Sequence, residues 1–186
     1  MNKFLKHIVL GSLVFVAAAC GDDDKNTWEE YADWREINEQ WLSEQEALRG
    51  PDGLAVYTRV VPDWNSNAYV LMRWFNDREA TKDNLSPFYT STVDVKYIGR
   101  IYDDQAFDSS YTSVTPGDSL FRTKVSGVIP GWAIALEKMR VGDSVEVLIP
   151  YASAYGSSSQ GKLIKPYSAL KFNIKLVNVA GEYIRP

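Results

Sequence analysis

The chain of 186 residues holds one histidine, His7, and one cysteine, Cys20, both within its first twenty positions. Everything beyond Cys20 therefore lacks imidazole and thiol. That excludes serine–histidine and cysteine–histidine catalysis, thiol redox chemistry and any Cys/His zinc site from the bulk of the chain. One cysteine closes no intrachain disulfide, so stability must come from packing. Only carboxylate-held hard cations remain as metals, and no EF-hand-like Asp/Asn/Gly loop is visible; the reading is of no metal and no cofactor. A basic stripe is also missing. Residues 27–52 carry eight acids and two bases, whereas residues 53–186 carry 13 acids and 15 bases. The body is near neutral, which argues against a nucleic-acid partner. With 45% hydrophobic, 13% aromatic and 24% charged residues, the composition is that of a globular protein.

The one long apolar run, from Ile8 to Ala19, is too short to span a bilayer comfortably but suits a signal-peptide core behind Lys3 and Lys6. It ends in Ala17-Ala18-Ala19-Cys20, which resembles the lipobox of bacterial lipoproteins. The resemblance implies cleavage of residues 1–19 and lipidation of Cys20, anchoring the protein to a bilayer. The alternative is an ordinary secretory signal with an incidental cysteine. Asp22-Asp23-Asp24 resembles the surface-export signal of some Gram-negative lipoproteins, or is a solvated tether. The expected location is a Gram-negative envelope, at the outer membrane, periplasmic or surface-exposed.

Residues 20–27 read as a tether and 28–50 as a helical segment. Trp28, Tyr31, Trp34, Ile37, Trp41 and Leu48 recur at steps of three, four or their multiples, predicting a helix over 28–48 with Thr27 as cap. That stripe either docks on the rest of the chain or pairs two subunits in a homodimer. Gly50-Pro51-Asp52-Gly53 stops it. Residues 51–186 form one further domain. Val93, Val95, Tyr97, Gly99 and Ile101 alternate with Asp94, Lys96, Ile98 and Arg100, and Leu170, Phe172, Ile174 and Leu176 alternate likewise. Ala55–Val61, Ala68–Phe75 and Val145–Ile149 add strands. A short helix opens at Pro130-Gly131 and buries Trp132, Leu136 and Met139. The fold class is α+β with an antiparallel sheet.

Gly156-Ser157-Ser158-Ser159-Gln160-Gly161-Lys162-Leu163 approaches the P-loop pattern. Leu163 stands where the magnesium-binding hydroxyl belongs, and Pro166 blocks the helix that would hold phosphate. The acid pairs Glu29/Glu30 and Asp103/Asp104 are ordinary solvated neighbours rather than acid–base couples.

Five segments remain: Val95-Lys96-Tyr97-Ile98-Gly99 with Ala106-Phe107-Asp108-Ser109-Ser110; Gly127-Val128-Ile129-Pro130-Gly131-Trp132; Met139-Arg140-Val141-Gly142-Asp143; Ala154-Tyr155-Gly156; and Ile164-Lys165-Pro166 leading into Leu170-Lys171-Phe172. In this order they closely resemble the FKBP family of peptidyl-prolyl cis/trans isomerases, over core motifs at 93–179. The resemblance implies a curled antiparallel β-sheet wrapped around one short α-helix, here with an N-terminal helical extension and extra strands about 62–92. It implies a pocket with Trp132 as floor, Tyr97, Phe107, Val128, Ile129, Tyr155 and Phe172 as walls, and Asp108 near the rim. The Ile129 amide would donate to the substrate carbonyl. Leu163 and Ile164 would overhang the pocket and touch substrate. The family's second pocket aromatic is not clearly placed: Ser119 aligns by spacing, with Leu120 and Phe121 beside it.

The implied activity is isomerisation of prolyl bonds in envelope or secreted polypeptides. It breaks no bond and requires no nucleophile or metal, so it suits a chain without histidine or cysteine beyond Cys20. Alternatives are a non-catalytic peptide-binding module or chaperone on the same fold, and a glycan-capturing surface lipoprotein using its six tryptophans.

Overall fold

The computed structural model describes residues 26–113 and 119–180. The expected signal peptide, Cys20 and the Asp22–Asp24 run lie outside the described residues.

Among the described residues, seven strands are formed: β1 Thr58–Val60, β2 Val70–Trp74, β3 Thr92–Ile101, β4 Ala106–Ser109, β5 Phe121–Lys124, β6 Ser144–Ile149 and β7 Leu170–Ala180. The α-helices of the described residues are α1 Thr27–Glu30, α2 Ala32–Ala47, α3 Ser110–Ser113 and α4 Pro130–Lys138. The strands pair antiparallel in the order β1-β2-β6-β7-β3-β4, and β5 also pairs with β3. β3 and β7 are the longest pair, running from Thr92 opposite Ala180 to Ile101 opposite Leu170 with a register shift between Asp94, opposite Asn178, and Val95, opposite Leu176. The other edge of β3 is divided, with β5 beside Thr92–Val95 and β4 beside Ile98–Arg100.

Alternation along the strands builds two cores, because successive side chains leave a strand on opposite faces. Val70 and Met72 of β2 and Val145, Val147 and Ile149 of β6 enter the main core with Trp132, Ala133, Ile134, Ala135 and Leu136 of α4. Leu71 and Leu148, pointing the other way, meet Leu42 of α2 and Tyr57 in a second cluster. Burying each such aliphatic side chain contributes about 1.5–3 kcal/mol.

The resemblance implied a curled sheet wrapped around one helix, and the strand order corrects this. The sheet is open: β1 lies at one end, β4 and β5 at the other, and the two ends do not pair. The physical reason lies in its two apolar faces. Leu71 and Leu148 need cover that α4 cannot give from the opposite side, and α2 supplies it.

The N-terminal segment is helical over Thr27–Glu30 and Ala32–Ala47, with a break at Tyr31 (φ −105°, ψ 23°). The cap is Asn26 rather than Thr27, its side chain accepting from the Glu29 amide at 3.1 Å. The buried face also differs from the aromatic stripe. Ile37 and Leu48 are 45% and 43% exposed, whereas Asn38 and Leu42 are buried. The docking row is Trp34, Asn38 and Leu42, at four-residue steps. A polar residue lies at its centre, so apolar periodicity alone missed it. Asn38 Oδ1 accepts from the Ala169 amide and its Nδ2 donates to the Trp34 carbonyl. The Trp34 indole donates to Ser168 Oγ at 3.0 Å. Trp28 packs edge-on against Tyr167, with the Arg35 guanidinium over its ring at 3.3 Å.

The segment between β2 and β3 is held by one buried carboxylate. Asp143 Oδ1 accepts from Thr81 Oγ1 at 2.6 Å and from Asn76 Nδ2 at 3.0 Å, and its Oδ2 accepts from the Arg140 amide at 2.9 Å.

Candidate active site

The site sits between α4 and the β3–β7 pair. Val128 and Ile129 precede α4 in an extended approach, and Pro130 starts the helix with its φ already set. Ile129 is the N-cap, its carbonyl accepting from the Trp132 and Ala133 amides. Its own N–H lies before the helix ladder and is available as a donor. The first full turn then places Trp132 beneath the sheet, 4% exposed.

Four aromatic rings from four elements meet there. Trp132 stands edge-to-face to Tyr97 at 5.0 Å and to Phe172 at 5.2 Å. Phe107 meets Phe172 at 5.5 Å and 88°. Such perpendicular contacts place ring edges on ring faces, each contributing about 0.5–1.5 kcal/mol beyond burial. The approach of Phe107 and Phe172 depends on Gly99. A Cβ there would lie 2.7 Å from Phe107 Cζ and from Phe172 Cε1. The glycine in the β3 alternation is thus the gap that admits both rings.

The Phe-Asp-Ser-Ser segment is fixed on β3 by its hydroxyls. The fully buried Ser110 accepts the Tyr97 amide at 3.0 Å. Asp108 Oδ2 accepts the Tyr97 hydroxyl at 2.5 Å, and its Oδ1 accepts the Ser109 amide at 2.7 Å. These donors orient the carboxylate at the cavity rim. Burial, and secondarily the Asp108 charge, push the Tyr155 hydroxyl pKa above the usual phenol value. Tyr155 therefore keeps its proton and remains a hydrogen-bond donor across the neutral range.

The resulting cavity, about 280 Å³, is lined by Tyr97, Phe107, Asp108, Val128, Ile129, Trp132, Tyr155 and Phe172, together with Phe121 and Gly127. The structure thus gathers eight expected residues from separate segments around one space. It does not bring Leu163 and Ile164 to the lining. Ile164 is buried in the main core and Leu163 packs partly buried against it. Phe121 is the ring that sequence reasoning missed. It opens β5 opposite Val95 and stacks edge-on to Tyr97 at 5.6 Å. Its adjacency to Ser119 and Leu120 was visible, but only the β5 register decides which of the three faces the cavity.

Among the described residues, no three His, Cys, Asp or Glu side chains lie together as metal ligands. The P-loop-like stretch forms turns closed by a bridge between Gln160 and Ile164. No helix of the described residues is long and apolar enough to cross a membrane. The arrangement is an apolar box with a few fixed donors at its wall. It can desolvate and orient a small cyclic side chain, and its lining holds no thiol or imidazole.

Residues 86–177 match the family model described as FKBP-type peptidyl-prolyl cis-trans isomerase. The chain is 40% identical over 93 residues to the FKBP-type 22 kDa peptidyl-prolyl cis-trans isomerase of Escherichia coli, covering 50% of this chain and 43% of that protein. It is also 40% identical over 93 residues to the Outer membrane protein MIP of Legionella longbeachae, covering 50% of this chain and 38% of that protein. The chain therefore spans less than half the length of these curated relatives. In three dimensions it is similar to the solved peptidyl-prolyl cis-trans isomerase of Pseudomonas syringae pv. tomato, with TM-score 0.63 and 24% identity, covering 81% of this chain and 96% of that one. At that identity the likeness shows the fold alone.

Proposed function

We propose, from the match of residues 86–177 to the family model described as FKBP-type peptidyl-prolyl cis-trans isomerase, that this protein catalyses cis/trans isomerisation of X–Pro bonds in polypeptides of the bacterial envelope or of secreted proteins. The observation that carries the reading is the convergence of Tyr97, Phe107, Asp108, Val128, Ile129, Trp132, Tyr155 and Phe172 on one aromatic cavity.

The chemistry matches that inventory. Rotation about the amide must cross a barrier of about 18–20 kcal/mol set by resonance. Twisting localises the nitrogen lone pair and weakens the carbonyl dipole. A pocket of Trp132, Phe107 and Phe172 faces disfavours the planar, more polar amide relative to the twisted one. The Ile129 amide or the Tyr155 hydroxyl holds the carbonyl oxygen while the proline ring turns over Trp132. Only interactions stronger in the twisted state accelerate the step. No proton or electron pair changes owner.

A protease-coupled assay with an Ala-Leu-Pro-Phe peptide tests the reading. Acceleration over the uncatalysed rate supports it. A folded protein that binds proline peptides without accelerating them would instead be the non-catalytic module.

The address of the protein is part of the proposal. Lipidation of Cys20 after loss of residues 1–19 would tether the domain to an envelope membrane through residues 20–27. The leader pattern supports this, as does the name of the Legionella relative, Outer membrane protein MIP. Mass spectrometry of detergent-extracted protein is expected to find an acylated N-terminal cysteine. A soluble mature protein with unmodified Cys20 would end the anchoring proposal.

A further inference from the structure

Val128 lines two hollows. One is the aromatic cavity; the other, about 560 Å³, is lined by Trp64, Tyr89, Val128, Pro130, Ala133 and Glu137. The two lie on either side of the approach to α4, with Ile129 facing the first and Pro130 the second. Trp64 and Tyr89 are 57% and 52% exposed. Leaving ring surface in water costs about 25 cal/mol per Å², so two half-open rings beside an apolar concave wall mark an interaction surface. Trp64 belongs to the segment between β1 and β2, outside the 86–177 match, and Tyr89 to the approach to β3.

We propose that this second hollow is an extension of the substrate site, holding the apolar residues that flank the proline of an unfolded polypeptide. The inference rests on the isomerase reading of the neighbouring cavity. Its occupant follows from continuity: a chain with its proline over Trp132 has only Val128 to pass before reaching Trp64 and Tyr89. The lining sets the preference. Aliphatic or aromatic side chains fit between Trp64, Tyr89 and Ala133, and Glu137, the one charged residue of the lining, disfavours acidic ones.

The test uses the full chain with Trp64→Ala and Tyr89→Ala, singly and together. Both rings are more than half exposed, so their removal spares the core. Two substrates are compared: a proline tetrapeptide, and a protein whose refolding waits on one X–Pro bond. The double variant is expected to keep the tetrapeptide kcat/KM while losing about tenfold or more on the refolding substrate. Equal, wild-type rates on both substrates would overturn the proposal. So would equal losses on both, which would mean that the aromatic cavity itself had been disturbed. Binding of a reduced, alkylated, permanently unfolded protein separates this inference from the isomerase reading. If the wild type were inactive on both substrates yet bound that chain through Trp64, the isomerase reading would fail and the surface would stand. A dimer that dissociates in the Trp64→Ala variant would assign the surface to a second copy and overturn the inference.

Discussion

Asn38 of α2 and Ala169, the residue before β7, are 131 positions apart and joined by a 2.9 Å hydrogen bond from the Ala169 amide to Asn38 Oδ1. Asn38 is 1% exposed. Replacing it with leucine leaves a buried backbone N–H without its acceptor, a loss of about 1–3 kcal/mol. Urea unfolding of Asn38→Leu is expected to show a lowered midpoint at unchanged slope. Because α2 spends its Trp34–Asn38–Leu42 face on its own domain, lipid-free protein should sediment as a monomer. A dimer that dissociates on removal of residues 21–50 would contradict the intrachain docking.

Asp143 predicts how the fold meets acid. Burial alone would raise its pKa, but hydrogen bonds from Thr81, Asn76 and the Arg140 amide, with Arg78 nearby, hold it below the usual carboxylate range. A depressed folded pKa means stability that is present above the unfolded value, about 3.9, and lost as pH falls through the folded one. Asp143→Asn should therefore be less stable than wild type at pH 7, with the gap narrowing below about pH 4. A gap of constant size from pH 7 to pH 2 in thermal melts would show that the charge is not involved.

Gly99 tests the architecture of the cavity without replacing a lining side chain. Gly99→Ala drives a methyl group into Phe107 and Phe172. Overpacking of this kind costs about 1–3 kcal/mol, and the displaced rings should reduce activity out of proportion to the loss of stability. A variant with normal melting and normal activity would show that the two rings need no such gap.

Tyr155 separates hydrogen bonding from shape. Tyr155→Phe removes one hydroxyl and should slow isomerisation by about 1 kcal/mol or less, within about sixfold. The rate should also stay flat from about pH 6 to 8, because no histidine or thiol lines the cavity and the Tyr155 pKa is displaced upward, away from neutrality. A bell-shaped profile centred near pH 7 would place the chemistry elsewhere.

Much of the site was legible because its residues sit in short motifs whose order is itself the signal. Trp132 alone is an ordinary core tryptophan; with Val128-Ile129 before it and Ala154-Tyr155-Gly156 after it, it points to a pocket floor. Features set by register were not legible. Phe121 faces the cavity because β5 pairs with β3 at Val95, and nothing within Ser119-Leu120-Phe121 encodes that pairing. Leu163 and Ile164 are outside the cavity lining, with Ile164 buried in the main core and Leu163 partly buried against it. The open sheet was hidden for a different reason. Strand periodicity reports which side chains alternate, not whether two distant edges meet. The cover that α2 gives Leu71 and Leu148 depends on Asn38, a residue with no place in an apolar stripe.

The central claim is that an aromatic box, with no covalent step, lowers the barrier to prolyl rotation. The most direct measurement is the rate of isomerisation of an Ala-Leu-Pro-Phe peptide by wild type, Trp132→Ala and Phe107→Ala, each shown to be folded. The account predicts acceleration by the wild type and a loss of about ten- to a hundredfold in each variant, equivalent to about 1.4–2.8 kcal/mol of transition-state stabilisation. Full activity in both truncated variants, or none in the wild type, would contradict it.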